Sequence, residues 1–460
     1  RDSNIPIYGS KVLGVRVGEL SLVGKERFPK AFTRLIETAK VNDTEIVLEV
    51  SPDWVVGEEL VIASTTEDMH EAEFRKVAYV NGNRVGLHVP LAYEHWGTDH
   101  NLHGHTVPYR AEVALLTRNV VFQGDEKSAK YSYGATTMFH GPRQRGQVLR
   151  DLVFTGKIHV VNTEIRRAGQ QGFLGKYPLH FHIAGQAYNC ILEGNAVHHT
   201  FQRIVTIHGT DGVRLLDNVG VHHFGHGYFL EDGHEEENVF EGNLGLLTLP
   251  LFSQLTKDMT PATFWITNPK NYFRNNVAAG SKNYGFWLDF EKHPGGPSFS
   301  TSVCPNHNRL GAFDNNRAHS NGRYGLRVFK EWYPREVACS NSAPVRETLS
   351  NFVSYANHKN GVSSFHTAYV YYENFTVADN RVAGFEAVRT FQEWDFIIKN
   401  FLVVGRTPAN KIADYFLHDF PDSLTKSSPN EGGSGIWAPK NYGFMGSNIT
   451  FINFNETRLD

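Results

Sequence analysis

The stretch NCILEGNAVHH (residues 189–199) decides the fold of this chain, because its pattern returns along the sequence. The pattern is an aliphatic run, a small or acidic residue, an asparagine and a second aliphatic run, as in GVRLLDNVGVHH (212–223) and NVFEGNLGLL (238–247). The central asparagines are 23 and 25 residues apart: Asn195, Asn218 and Asn243. Short β-type runs with this period indicate an all-β solenoid, in which no single repeat can bury its apolar face alone.

The repeated asparagine is best explained as part of the scaffold. A tight bend between short strands needs a residue that tolerates left-handed backbone geometry and bonds its own main chain, and Asn does both. Stacked Asn side chains also bond along the solenoid axis, where buried turn groups would otherwise have no partner. Asn357 and Asn380, again 23 residues apart, extend the same pattern.

Composition excludes several classes of protein. The 460 residues are 40% hydrophobic and 20% charged, which is typical of a globular chain. The net charge is −3 and there is no basic block, so nucleic acid is not expected as a partner. No apolar run approaches the roughly 20 residues that cross a bilayer, so no membrane-spanning segment is predicted within the chain.

Residues 1–125 differ from the rest of the chain in their sequence pattern. Strand-like runs such as KVLGVRVGELSLVG (11–24) and TEIVLEV (44–50) alternate with Gly and Pro turns, and AEVALLTRNVVFQG (111–124) closes this part. We predict a β-rich domain over 1–125 that leads into a solenoid with loop insertions over 126–460.

Histidines are concentrated in successive repeats. The phrases AVHH and GVHH lie 24 residues apart, so His198 is expected to stack on His222, and His199 on His223. His180 and His182 are two apart in a strand and point to one side, a spacing that permits joint binding of a metal ion, and His208 from the next coil is a candidate third ligand. A ladder of neutral histidines is the structural alternative.

Candidate catalytic and binding groups surround these histidines. Asp211 and Glu231 lie in comparable phrases on neighbouring coils, a separation compatible with the carboxyl pair of a glycoside hydrolase. A lyase would instead need a base and a cation to neutralise a substrate carboxylate. The candidate catalytic residues are His182, His208, Asp211, Glu231 and Asp232, and the candidate substrate-binding residues are Tyr177, Arg203 and Tyr228.

Three cysteines are too few for a disulfide-dominated fold. Cys304 and Cys339 flank one insertion and are candidates for pairing, whereas Cys190 lies in an aliphatic run and is expected to be a buried free thiol. Four sequons give mild support for secretion, at Asn42, Asn374, Asn448 and Asn455.

Several long phrases resemble one known family. KYPLHFHIAG (176–185), HGYFLEDG (226–233) and NNRAHSNGRYGL (315–326) are similar to the ectodomain shared by fibrocystin, fibrocystin-like protein, transmembrane protein 2 and the cell-migration-inducing hyaluronan-binding protein. The segment HPGGPSFSTSVCP (293–305) is most similar to the fibrocystin-like branch. The resemblance implies part of a G8 domain over 1–125, followed by a right-handed parallel β-helix.

The resemblance implies two alternative functions. Fibrocystin-type members are regarded as receptor-like or cell-coat proteins, which implies a cell-surface ectodomain that binds a glycan or an extracellular protein. Other members are associated with binding and depolymerising hyaluronan, in one case with a calcium requirement. The sequence therefore favours a hyaluronan-like glycan or protein as partner, with hyaluronan cleavage as the alternative and Zn²⁺ or Ca²⁺ as candidate ions.

Overall fold

The computed structural model describes residues 8–141, 149–252, 256–390, 396–409, 434–439 and 443–454. Within these ranges the chain is almost entirely β-strand, wound into a right-handed parallel β-helix, and the predicted fold class is confirmed. Each coil contributes one strand to each of three parallel ladders, which we call ladders A, B and C.

Ladder A carries the candidate site. Among the described residues it contains eleven strands in parallel register: β1 (Val12–Val15), β12 (Thr136–His140), β15 (Leu179–Gln186), β18 (Val205–Asp211), β21 (Tyr228–Leu230), β24 (Ala262–Ile266), β27 (Tyr284–Leu288), β30 (Tyr324–Trp332), β33 (Asn360–Thr367), β36 (Ala383–Thr390) and β38 (Ser434–Trp437).

Ladders B and C form the other two faces and share the long strands β37 (Phe396–Val404) and β39 (Phe444–Ile452). Ladder B otherwise contains β2 (Gly18–Val23), β13 (Gly156–Val161), β16 (Ile191–Glu193), β19 (Arg214–Leu216), β22 (Val239–Glu241), β25 (Tyr272–Arg274), β28 (Ala312–Asp314), β31 (Glu347–Ser350) and β34 (Val370–Glu373). Ladder C otherwise contains β11 (Val120–Gln123), β14 (Thr163–Arg166), β17 (Ala196–His198), β20 (Val219–Phe224), β23 (Leu244–Leu249), β26 (Val277–Ala279), β29 (Arg317–His319), β32 (Val353–Tyr355) and β35 (Thr376–Ala378).

A separate antiparallel sheet packs beside the solenoid. Its six strands, which we call the cap, are β3 (Phe32–Arg34), β4 (Glu45–Val47), β5 (Glu59–Ile62), β6 (Glu73–Asn81), β7 (Arg84–Leu87) and β10 (Glu112–Leu115). A hairpin, β8 (His100–Leu102) and β9 (His105–Val107), precedes the last of them. Strands β1 and β2 come before the cap in sequence yet pair with solenoid strands. The predicted domain boundary between residues 125 and 126 stays a prediction.

Helical structure is limited to short segments in the described part of the chain. The helix α1 (Glu126–Tyr131) begins after Asp125, whose side chain accepts the Ser128 N–H. The 3₁₀ turns are Met69–Glu71, Leu149–Asp151, Thr256–Met259, Gly296–Ser298 and Pro305–His307. No helix among the described residues is long and apolar enough to span a membrane.

The cap covers the outer face of ladder C. Val61 of the cap, together with Met69 in the turn between β5 and β6, packs in one apolar cluster with Val221, Leu246 and other residues of β20, β23 and β26. Further along the ladder, Tyr109 lies 4.1 Å from the Tyr355 ring. The cap therefore occupies one of the three long faces of the solenoid.

The repeated asparagines form a continuous buried ladder. Each Nδ2 donates to the Oδ1 of the next Asn at 2.9 to 3.1 Å, in the series Asn195, Asn218, Asn243, Asn276 and Asn316. A second series joins Asn321, Asn357 and Asn380. These bonds satisfy turn groups inside the coil, as predicted for stacked asparagines. The left-handed geometry expected of the same asparagines is wrong, because the residue before each of them has the positive φ: Gly194, Asp217, Gly242, Asn275 and Asn315.

The predicted histidine stacking is wrong by one residue. His198 is in register with Val221, and the ring of His199 lies 5.1 Å from that of His222. The cause is the spacing between these two coils, because Asn195 bonds Asn218 at 23 residues whereas the histidine phrases are 24 apart. A one-residue offset moves every side chain to the neighbouring position.

The cysteines and sequons have the following surroundings. Cys304 and Cys339 form a disulfide, and Cys190 is a buried free thiol. Three of the predicted sequon asparagines are exposed, at Asn42, Asn374 and Asn448. Asn455 lies outside the described residues.

Candidate functional site

The outer face of ladder A brings the candidate residues of three coils together. In β15, Phe181 points into the core, so His180 and His182 on either side of it point outward. His182 is in register with His208 of the next coil. One coil further, the Glu231 N–H donates to the Ile207 carbonyl, which places Glu231 beside His208.

The three predicted metal ligands converge. One ligand atom from each of His180, His182 and His208 lies within 4.8 Å of the others. The Nδ1 atoms of His182 and His208 are 3.2 Å apart. Two nitrogens bound to one tetrahedral Zn²⁺ at about 2.0–2.1 Å would stand about 3.3 Å apart. The spacing of these two rings therefore fits a shared ion.

Hydrogen bonds fix the orientation of two of the rings. His180 Nδ1–H donates to the Gly175 carbonyl at 3.0 Å, which leaves Nε2 with its lone pair. That Nε2 is buried and has no hydrogen-bond partner. His208 Nε2–H donates to Asp232 Oδ2 at 2.7 Å, the carboxylate–histidine arrangement that commonly orients a metal-binding imidazole.

Carboxylates surround His208. Glu231 Oε2 lies 3.7 Å from His208 Nδ1 and has no hydrogen-bond partner, and burial raises the pKa of Glu231. Burial alone would also raise the pKa of Asp232, but the hydrogen bond from His208 lowers it. Burial opposes a charge on His208, yet the carboxylates outweigh this and raise its pKa to about 9. Burial and the charge on His208 lower the pKa of His182 to about 3.

Tyr177 and Arg203 form a layer next to the histidines. The Tyr177 ring lies 4.9 Å from that of His180, and the Arg203 guanidinium lies 5.1 Å from the Tyr177 ring centre. Arg203 is buried and pairs with Asp258 at 2.9 Å. Burial opposes the charge of Arg203, but Asp258 raises its pKa above the usual value.

Two predicted site residues lie elsewhere. Tyr228 points into the core, where it stacks on Phe264 at 4.7 Å and its hydroxyl donates to main-chain carbonyls, so the expectation that it binds substrate is corrected. Asp211 follows an irregularity in strand register, and its Oδ1 accepts the Glu236 N–H at 2.8 Å. Burial raises the pKa of Asp211 to about 7, but its neighbours are not the histidines.

Sequence reasoning missed two groups at the site. His140 is in register with His182, and its Nδ1–H donates to the His182 carbonyl at 2.9 Å. The signal was an apolar residue followed by His in three coils, as in FH (139–140), FH (181–182) and IH (207–208). Glu235 is fully buried and accepts N–H groups of Gly209, Asp232 and Gly233, which holds the acidic loop in place.

The fold and this site define a parallel β-helix protein with a histidine–carboxylate cluster on its outer face. Residues 151–326 match the family model described as CEMIP beta-helix. The part of the chain that carries the histidine–carboxylate cluster thus matches the β-helix of this family.

Three relatives illustrate the relationship. The chain is 30% identical to fibrocystin-L of Mus musculus, over 99% of this chain and 11% of that protein. It is 35% identical to the cell migration-inducing and hyaluronan-binding protein of Homo sapiens, over 72% of this chain and 26% of that protein. It is 32% identical to the cell surface hyaluronidase CEMIP2 of Homo sapiens, over 68% of this chain and 25% of that protein. The chain thus spans about a tenth to a quarter of these relatives.

Proposed function

We propose that this chain is a glycan-directed module of an extracellular or cell-surface protein, and that its histidine–carboxylate cluster acts on a hyaluronan-like glycosaminoglycan with a bound divalent metal ion. The observation that carries the proposal is the convergence of His180, His182 and His208 within 4.8 Å, with one buried nitrogen left without a partner. The substrate class is supported by the relatives named for hyaluronan binding and hyaluronidase activity.

The donor set favours one class of ion. Three imidazole nitrogens suit Zn²⁺ and similar transition metals, whereas Ca²⁺ prefers six to eight oxygen ligands. His180, His182 and His208 would hold the ion, and Asp232 would orient His208. Such an ion would supply Lewis-acid character to a substrate oxygen. Among the candidate ions, the cluster therefore fits Zn²⁺ better than Ca²⁺.

The remaining groups have separable roles. Glu231 lies beside His208 with an oxygen free of hydrogen bonds, so it is placed to give or take a proton at a glycosidic oxygen. Asp232 is a positioning residue, because it contacts His208 through Nε2. Arg203 pairs with Asp258 and packs against Tyr177, which orders the wall beside His180. Asp211 takes no part in this arrangement.

Binding without cleavage is the second candidate, and one observation favours it. His180 is 0% exposed and His208 is 5% exposed, which leaves little room for a reacting water. In this alternative the ion stabilises the coils and the glycan, or an extracellular protein, binds on the surface above them.

One set of variants separates the two functions. We expect one equivalent of zinc per wild-type chain by mass spectrometry of the purified protein, and its loss in His182→Ala and His208→Ala. With zinc bound, the wild type should shorten high-molecular-weight hyaluronan on a gel, and Glu231→Gln should retain zinc but lose this activity. His105→Ala, an exposed histidine in the hairpin, is the matched control. If zinc binds but hyaluronan stays intact, cleavage is refuted and only the binding function remains. If no zinc binds, the metal site is refuted.

A further inference from the structure

The outward row of ladder A continues past the histidines as a row of aromatic rings. Phe229 is in register with Trp265, and Trp265 with Trp287, so successive coils place one large ring each on this face. These rings belong to an apolar cluster separate from the core of the coil. The row begins beside the cluster, since Phe229 lies two residues before Glu231 in the same coil.

A cation lies over each ring of the row. Arg203 is 3.7 Å from the Phe229 ring centre, and Lys257 is 5.1 Å from that of Trp265. Arg327 is 4.5 Å from the Trp287 ring centre. The first two cations are neutralised by carboxylates, Asp258 for Arg203 and Asp289 for Lys257. The third coil therefore differs from the other two.

Arg327 and Arg323 share a neutral partner instead of an acid. Both guanidinium groups donate to the hydroxyl oxygen of Tyr284, at 2.9 Å and 3.3 Å respectively. No carboxylate of the described residues comes within ion-pair distance of either. The nearby Glu386 carboxylate already accepts hydrogen bonds from Asn360 and Ser363. Two positive charges thus meet at one phenol, and no carboxylate of the described residues is in ion-pair contact with them; the nearest electrostatic influence of an acid on Arg327 comes from Asp289, which already pairs with Lys257.

The paired guanidinium groups have aromatic neighbours. Arg327 lies 4.2 Å from the Phe329 ring centre and 6.0 Å from that of Tyr324. Both rings are partly exposed. Aromatic faces stack on sugar rings, and guanidinium forks match the planar geometry of a carboxylate. The combination is that of a site for an acidic sugar.

We infer that Arg323 and Arg327 bind the carboxylate of a uronic acid unit, with Tyr324 and Phe329 against the sugar faces. The inference rests on the proposed function, since it assigns a second contact to the same glycan chain. Arg327 lies four coils beyond His208 on ladder A, about 19 Å along the axis at about 4.8 Å per coil. A linear glycan along this ladder would reach both places at once, and a short one would reach only one.

Binding of fluorescently labelled glycans tests the inference, with the metal-loaded protein and all its variants carrying Glu231→Gln so that the probes are not cleaved. The probes are a hyaluronan tetrasaccharide, a hyaluronan eicosasaccharide and a neutral chitin oligosaccharide, titrated by fluorescence anisotropy. We expect the double variant Arg323→Gln/Arg327→Gln to weaken eicosasaccharide binding about tenfold or more, as expected for loss of charge-assisted hydrogen bonds. Binding of the neutral glycan should stay unchanged.

Controls separate this inference from the proposed function. Arg214→Gln removes an exposed cation from ladder B and should bind as the wild type does. Arg327→Lys keeps the charge but lacks the planar guanidinium, so it should weaken eicosasaccharide binding by an intermediate amount. This variant also tests the inference if the double variant folds poorly. If the double variant binds the eicosasaccharide like the wild type, or if the wild type does not bind it, the inference is overturned. If binding behaves as expected but zinc or cleavage is absent, only the proposed metal-dependent cleavage fails.

Discussion

Replacing Asn243 by alanine tests whether the buried asparagine ladder holds the coils together. Asn243 Nδ2 donates to the Leu215 carbonyl at 2.9 Å and to Asn276 Oδ1 at 3.0 Å. Its Oδ1 accepts from the main-chain N–H of Asn218 at 3.0 Å and from the Asn218 side chain at 2.9 Å. Asn243 is 0% exposed, so water cannot replace these partners without opening the coil.

The magnitude follows from the bonds lost. Four hydrogen bonds at about 1 kcal/mol each give a loss of about 4 kcal/mol in the free energy of unfolding. The main-chain conformation is not an obstacle, because Asn243 is absent from the positions with positive φ. The effect should therefore come from hydrogen bonding alone. Asn189→Ala, an exposed asparagine in a neighbouring turn, should change stability by less than about 0.5 kcal/mol.

Two measurements check this prediction. Urea unfolding followed by circular dichroism gives the difference between Asn243→Ala and Asn189→Ala. Amide hydrogen exchange tests the location, because the Asn218 N–H should exchange faster in Asn243→Ala. If the two variants were equally stable and the Asn218 N–H remained protected, the ladder would not contribute the stability argued here.

Two further predictions concern the cap and the disulfide. Burial would raise the pKa of Glu73, but hydrogen bonds from His95 and main-chain N–H groups lower it from 4.5 to about 2, so its stabilisation is present above about pH 4.5 and is lost as the pH falls toward 2. The melting-temperature difference between the wild type and Glu73→Gln should therefore shrink on acidification, and a constant difference would contradict this. The disulfide between Cys304 and Cys339 closes a loop with a sequence separation of 35, worth up to about 4 kcal/mol by loop-closure entropy. The Cys304→Ala/Cys339→Ala variant should lose up to that amount in urea unfolding, whereas an unchanged midpoint would show that the loop is ordered by other contacts.

The sequence predicted the architecture because its strongest signal is periodic. The spacing of Asn195, Asn218 and Asn243 reports directly on the length of each coil, and the hydrogen bonds between them follow it. The same spacing contained the information that corrects the histidine stacking, since coils of 23 residues cannot align phrases 24 apart. The spacing of the scaffold asparagines therefore predicts which residues of neighbouring coils align, whereas the spacing of similar sequence motifs does not.

The site was predicted only in part, because the exposure of a side chain and the direction in which it points depend on tertiary packing. The pair His180 and His182 could be placed on one side of a strand by alternation, and the structure brings His208 to them. Nothing in the sequence around Tyr228 shows whether its ring points into the core or outward. The meeting of Arg323 and Arg327 at Tyr284 also required the structure, because 39 residues separate Tyr284 from Arg323.

The position of the cap makes the solenoid one-sided. Ladder C lies under the cap, and the exposed sequon asparagines Asn374 and Asn448 lie at bends where ladder B ends. Any carbohydrate attached there would crowd the edge between ladders B and C. Ladder A, which carries the histidines, lies away from both the cap and this edge. The solenoid therefore has two unlike long faces, one covered by the cap and one that carries the histidines.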